Sequence, residues 1–186
     1  MKLIRILDVV LGIIGLSILA PLLFLICILG YFDTGAPVFI QERVGRHKKP
    51  FKLIKFRTMS LDTKSVATHL VDADSITPLG RFLRRSKLDE LPQLINVIRG
   101  EMSLVGPRPC LYNQQDLIRE RSCRGVFKVR PGITGLPQVN GVDMSDARLL
   151  SEWDQKMIDT LNVRAYFRYL ILTLLGKGSG DQIRTN

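Results

Sequence analysis

Residues 84–109, RRSKLDELPQLINVIRGEMSLVGPRP, place two adjacent carboxylates, Asp89 and Glu90, just after paired arginines. The segment closes on Arg108, set between Pro107 and Pro109. Carboxylates that must stay ionised among guanidinium groups point to chemistry on an anion, most simply a phosphate. An ionised Asp89 at such a place can coordinate a divalent cation or attack phosphorus as a nucleophile. A helix start at Ser86, with Arg84 and Arg85 before it, makes a ready anion site. The two prolines fix φ on both sides of Arg108 and remove backbone donors, so the loop is stiff and the side chain pre-aimed. A planar guanidinium matches phosphate oxygens two at a time.

The same residues also fit a plain structural reading. Ser86 and Asp89 have capping-box spacing. Asp89 and Glu90 in a first turn would favour a helix through its dipole by about 0.3–1 kcal/mol each. Leu88, Leu91, Leu94, Ile95 and Ile98 then form its buried stripe, and Arg108 sits in a surface turn. Spacing alone leaves both readings open.

The elements that must position these residues begin with a membrane segment. Lys2, Arg5 and Asp8 precede an uncharged apolar run over residues 9–32. As a helix it measures about 36 Å, against a hydrocarbon core of about 30 Å. It is too long for the core of a signal peptide, and no small-x-small cleavage site follows. Pro21 lies at its centre, where the missing N–H and the ring should kink or break the helix. Basic residues flank both ends, which fits a re-entrant hairpin with both ends cytoplasmic. Proline is also tolerated in spanning helices, so both topologies stand. The chain divides into this segment, residues 1–32, and an interfacial catalytic domain, residues 33–186.

In that domain, alternation over residues 38–57 predicts a β-hairpin whose return strand delivers Lys55 and Arg57. Its basic turn, with Arg46, Lys48 and Lys49, suits anionic headgroups. Thr77-Pro78 opens a short helix. Residues 60–76 carry no assigned role. A second turn-rich block, VRPGITGLPQVNG, starts at Arg130, counted here among the candidate substrate-binding residues. A helix capped by Ser151 follows, with Trp153, Met157 and Leu161 on one face. The apolar stretch 162–177 reads either as an interfacial amphipathic helix or as a core helix, and the tail from Gly176 as frayed. The expected fold is α+β and mainly helical, short amphipathic helices packed with a β-hairpin.

Net charge is +10, from 27 Lys+Arg against 17 Asp+Glu, so an anionic partner is expected. Nucleic acid is not that partner, since the cations surround two carboxylates that repel a polyanion and no recognised module is present. Cys27, Cys110 and Cys123 form no CxxC pair and read as reduced thiols. Two histidines without ligand spacing make a zinc site improbable.

Taken together and in order, the apolar N-terminal helix, KFRTM, the LDELPQLINVIRGEMSLVGPRP block and VRPGITGLPQVNG resemble the small monotopic phosphoglycosyl transferases of bacteria. The likeness covers nearly the whole chain. It implies transfer of a sugar-1-phosphate from a UDP-sugar to polyprenyl (undecaprenyl) phosphate, with release of UMP and a requirement for Mg²⁺. It implies a covalent intermediate on Asp89, which would also touch the metal, with Glu90 as its dyad partner. Lys55, Arg57, Arg84 and Arg108 match the family's basic positions around the substrate phosphates. It further implies a re-entrant helix broken at a proline matching Pro21, a bacterial inner-membrane location on the cytoplasmic face, and a role in initiating surface glycan synthesis. Whether the chain forms a homodimer stays open. Three positions depart from the pattern: Ala20 where relatives carry Ser, Val142 where Arg is common, and Arg168 where an acid is frequent. The alternative is a membrane-anchored scaffold that binds anionic lipid without catalysis.

Overall fold

The computed structural model describes residues 2–61 and 75–178. Most of the region without an assigned role, and the tail beyond Gly178, lie outside these. The element order is α1 (Lys2–Thr34), β1 (Val38–Val44), β2 (Pro50–Phe56), α2 (Pro78–Ser86), α3 (Gln93–Arg99), β3 (Ser103–Val105), α4 (Gln115–Cys123), β4 (Gly132–Thr134), α5 (Leu136–Val139), α6 (Ala147–Thr160) and α7 (Val163–Leu174). The fold is α+β and mainly helical.

Helix α1 is long and apolar enough to cross a membrane. Pro21 lies inside it, and helical backbone continues on both sides. The expected break is therefore a lost hydrogen bond within one helix, not a gap between two. The buried positions Asp8, Gly12, Ile26 and Gly30 keep a single phase, because Asp8 and Ile26 stand about five turns of 3.6 residues apart. Packing on both sides of the proline offsets the one missing bond. Ile4, Leu7, Leu11, Leu16 and Leu19 pack on the core cluster of Leu94, Val97, Met102 and Tyr166. Beyond Pro21, Leu22, Leu23 and Ile26 pack with Phe56 and Leu83. The other face is bare, with Ile18 72%, Phe24 69% and Phe32 82% exposed.

Polar anchors fix the first turns of α1. Arg5 donates to Val97 O at 2.7 Å and Ile98 O at 3.1 Å, capping the C-terminal carbonyls of α3. Asp8 is 2% exposed. It accepts from Ser103 Oγ at 3.0 Å, Leu104 N at 3.0 Å and Tyr166 Oη at 2.9 Å. Burial, reinforced by the Asp8 charge and hydrogen bond, pushes the Tyr166 hydroxyl far above its ordinary range, so it stays a donor. Tyr166→Phe is expected to lower stability by about 1.5–3 kcal/mol, the range for a hydrogen bond to a charged group. Thermal unfolding in detergent measures it.

The predicted hairpin is present, β1 antiparallel to β2 with Val38 opposite Phe56 and Val44 opposite Pro50. Its inner face is more polar than alternation implied, since Gln41, Arg43 and Lys55 are buried beside Phe51 and Leu53. Val38 and Ile40 face outward instead. A second, parallel pair joins β3 to β4. It brings the two turn-rich blocks, 100–109 and 129–141, against each other. Ser103 N donates to Pro131 O, Gly106 N to Thr134 O and Gly132 N to Pro107 O. Only glycine allows this approach, because a Cβ on Gly132 would sit 2.0 Å from Gly106 N.

Two of three helix expectations need adjustment. Thr77 caps α2 as expected, accepting from Gly80 N at 2.9 Å. Helix α6 starts four residues before Ser151, capped by Asp146, whose side chain accepts from Leu149 N. Ser151 lies inside it and bonds back to Ala147 O. Helix α7 combines both readings of its stretch, with Tyr166 and Tyr169 buried and Phe167, Ile171 and Leu174 exposed.

Candidate active site

Local sequence makes the dyad turn something other than the first turn of a long helix. Ser86 does not cap a helix start. It closes α2, its Oγ donating to Phe82 O at 2.8 Å. Lys87 follows in the left-handed region at φ 58°, and Leu88–Glu90 form a 3-10 turn. Pro92 has no N–H to give Leu88 O, so an α-helical ladder cannot run through the turn. Helix α3 starts only after Pro92, which stands at its N-cap. The result is a tight, separate turn that carries Asp89 and Glu90, packed on by α2 and β2.

Both carboxylates are buried, Asp89 at 3% and Glu90 at 8% exposure. Arg108 Nη2 donates to Glu90 Oε1 at 2.6 Å. Lys55, Glu90, Gln93, Arg108 and Arg43 line one cleft. Lys55 lies 5.6 Å from the centre of the Phe39 ring and the Arg57 guanidinium 5.3 Å from it, so one aromatic face supports two cations. Arg84 Nε donates to Thr58 Oγ1 at 2.8 Å, joining α2 to the end of the KFRT stretch. Its Nη1 is buried without a hydrogen-bond partner, an unmet donor that an incoming anion would satisfy. Close contact of α2 with this strand end depends on Gly80, where a Cβ would fall 2.1 Å from Thr58 O.

Lys87 adds a further cation beside the dyad. Burial lowers its pKa, with Arg108 adding to the effect and Glu90 opposing it. Its Nζ donates to Lys177 O at 2.8 Å, tying the dyad turn to the residues after α7.

The GPRP loop is held by groups that spacing did not reveal. Arg43 donates to Pro109 O at 3.1 Å, and Val44 N to Cys110 O at 3.0 Å. Arg121 of α4 donates to Arg108 O at 2.7 Å through Nη1 and to Asp154 Oδ2 of α6 at 2.9 Å through Nε. Arg121 is 1% exposed and Asp154 0%. Burial raises the Asp154 pKa, and the Arg121 charge opposes that. The signals in sequence were an arginine in the middle of one amphipathic helix and an aspartate on the core face of another.

Lys55, Glu90 and Arg108 thus come together, with Arg57 and Arg84 on the elements flanking the turn. Arg130 does not join them. Its Nε donates to Gly100 O at 2.7 Å, past the far end of α3. Val142 packs beside Val44, Cys110, Leu117 and Leu150, and Arg168 is exposed. The three cysteines are free.

Comparison with known proteins places this geometry in context. The family model described as bacterial sugar transferase matches residues 1–177. The sugar transferase EpsL of Bacillus subtilis is 42% identical over 143 residues, covering 76% of this chain and 67% of that protein. The UDP-glucose:undecaprenyl-phosphate glucose-1-phosphate transferase of Caulobacter vibrioides is 42% identical over 145 residues, covering 74% and 54%. The undecaprenyl-phosphate galactose phosphotransferase of Salmonella typhimurium is 38% identical over 157 residues, covering 74% and 32%. The chain therefore spans between one third and two thirds of the length of these relatives. A match that runs from the first turn of α1 to the end of α7, through both turn-rich blocks, makes the chain a member of the bacterial sugar transferase family.

Proposed function

We propose that the protein transfers a sugar-1-phosphate from a UDP-sugar to undecaprenyl phosphate by way of a covalent phosphosugar–Asp89 intermediate. The observation that carries this reading is the buried Asp89–Glu90 turn, with Glu90 paired to Arg108 and sharing a cleft with Lys55 and Arg43. Relatives named for this reaction class support it. In the first step an Asp89 carboxylate oxygen attacks the sugar-bearing β-phosphorus of the donor. The bond from that phosphorus to the bridging oxygen breaks, and UMP leaves with the electron pair. In the second step a phosphate oxygen of the lipid attacks the same phosphorus. The bond to Asp89 breaks, the carboxylate is restored, and the product is the lipid diphosphate sugar. Neither step needs a general base, because both nucleophiles are already anionic.

Phosphoryl transfer depends on positioning and charge stabilisation more than on acid–base groups. Arg108 and Lys55 place positive charge where phosphate oxygens gather, and the donor left open on Arg84 favours an anion there. Pairing with Arg108 holds Glu90 as a fixed carboxylate next to the nucleophile. Two adjacent buried carboxylates fit Mg²⁺, which takes one or two protein carboxylates and completes its shell with water and substrate phosphate oxygens. When bound, the ion would offset charge on the diphosphate.

The anchors of α1 support a membrane placement for the protein. In a spanning helix the first turns would lie across the bilayer from the catalytic domain. Arg5 and Asp8 bond to that domain directly, and Ile26 packs on it beyond Pro21. Both halves on one domain support a monotopic arrangement with the bare apolar face in lipid, and the basic residues at both ends of the segment support the cytoplasmic face. That height suits an acceptor whose phosphate sits among headgroups. Cysteines introduced as Lys2→Cys and Lys48→Cys, in a background without the exposed native thiols, are expected to label only from the cytoplasmic side. Labelling from opposite sides would establish a spanning helix.

The test of activity is a panel of UDP-sugars offered with undecaprenyl phosphate and Mg²⁺ to the purified full-length chain. Release of UMP with one member is expected, stopped by EDTA and restored by excess Mg²⁺. No release with any sugar would favour the lipid-binding scaffold.

A further inference from the structure

A second concentration of positive charge lies away from the dyad. Lys2, Arg5, Arg46 and Arg130 line a cavity of about 370 Å³ whose remaining wall is largely apolar, including Met157 and Leu161. It opens at the opposite end of α3 from Asp89, where Arg5 and Arg130 bond the last carbonyls of that helix and of Gly100. The helix between them has seven residues, about 10 Å of rise.

Backbone carbonyls, not carboxylates, take the hydrogen bonds of these arginines among the described residues. Arg5, Arg46 and Arg130 bond only backbone carbonyl oxygens, Arg46 reaching Lys128 O at 2.9 Å. Among the described residues, none of the three has an ion pair. Asp8, the single carboxylate lining the cavity, already accepts three hydrogen bonds from Ser103, Leu104 and Tyr166. Crowding is evident at Arg130, whose pKa is lowered by burial first and then by the nearby charges of Arg5 and Arg46, with Asp8 opposing. Four cations lining one cavity, with largely apolar walls and one carboxylate that already accepts three hydrogen bonds, suit an anionic ligand with a carbon part.

We propose that this cavity binds a phosphate-bearing ligand at a site separate from the catalytic turn. Two sources present that chemistry. One is the headgroup of an anionic phospholipid, since the cavity lies at the first turn of α1 and the outer positions Leu3 and Ile6 of that turn are exposed and apolar. The other is a soluble phosphate. The guanidinium groups supply forked donors to the phosphate oxygens, and the apolar wall takes the carbon part of the ligand.

Binding is tested on the full-length protein with two probes. The first is phosphatidylglycerol, counted by native mass spectrometry of protein released from nanodiscs of phosphatidylglycerol and phosphatidylcholine. The second is inorganic phosphate, followed by thermal shift in detergent. Wild type is expected to bind at least one probe saturably. Arg46→Gln and Lys2→Gln should each weaken it roughly fivefold, the order of one surface cation near an anionic headgroup. Lys2 is exposed and Arg46 half-buried, so both variants should fold, which their unfolding midpoints check. Asp89→Asn and Arg108→Gln should bind like wild type. Retention of the lipid alone identifies a headgroup site, and saturation by phosphate alone a soluble ligand. No saturable binding of either probe overturns the proposal. So does equal binding by the Arg46 and Lys2 variants, or loss of binding in Asp89→Asn or Arg108→Gln, which would place the ligand at the catalytic turn.

Discussion

Asp89→Asn is expected to abolish UMP release while leaving the protein folded. Asparagine keeps the shape of the side chain, so the 3-10 turn, Pro92 at the N-cap of α3 and the packing of α2 and β2 on that turn should persist. What disappears is the anionic oxygen that attacks phosphorus. Loss of a covalent nucleophile typically costs several powers of ten in turnover, here at least about 10³-fold. Glu90→Gln is expected to cost less, because the amide still fills the position and accepts from Arg108 through its oxygen. The covalent intermediate has its own readout. Wild type incubated with the donor, without lipid, should gain the mass of a phosphosugar on the Asp89 peptide, and Asp89→Asn should not. An Asn variant that turns over like wild type removes Asp89 from the mechanism. No mass gain in an active wild type would point to direct transfer between donor and lipid.

Breaking the pair under the GPRP loop is expected to have the largest effect on stability. Asp154→Ala leaves Arg121 charged, almost fully buried and without its carboxylate. Removing one partner of a buried pair typically costs about 3–5 kcal/mol, a large share of the stability of a domain of this size. Because Arg121 also holds Arg108 O, activity should fall with stability. The double variant Arg121→Met, Asp154→Leu separates these effects. Replacing both charges with apolar groups can be neutral or stabilising, so the unfolding midpoint should recover. The loop would still lack its clamp, and a shift of Arg108 of about 1 Å can cost roughly 100-fold in rate. Recovered stability with low activity would identify Arg121 as a positioning residue for the loop. Recovery of both would make the pair purely structural.

The candidate reactive side chains stood out in the sequence because the motif packs them into a short stretch. Asp89, Glu90 and Arg108 lie within twenty residues of one another, and local rules place them in turns held by Pro92, Pro107 and Pro109. The hairpin was equally clear, since its pairing is local, but the face it buries was not, because Gln41, Arg43 and Lys55 turn inward where Val38 and Ile40 were the apolar positions. The capping-box reading of Ser86 went astray because the missing N–H of Pro92 outweighs a favourable cap. An interruption at Pro21 was overstated for the opposite reason: packing along both halves of α1 offsets one lost bond.

Long-range pairing lies beyond any local pattern. Strands β3 and β4 are only three residues each, too short to leave a periodicity, and they exist because Gly106 and Gly132 let two distant loops touch. Arg121 with Asp154, and Asp8 with Ser103 and Tyr166, are polar side chains on helices whose significance comes from their burial against particular partners. Arg130 shows the same limit in reverse. Its motif marks it for the phosphates, yet tertiary structure carries it to the other end of α3, into a second cationic cavity. Residue types and local spacing nominate the reactive groups. Burial and contacts distant in sequence decide that Lys55 and Arg108 share a cleft with Glu90, that Arg121 holds the loop, and that Arg130 lies at the far end of α3.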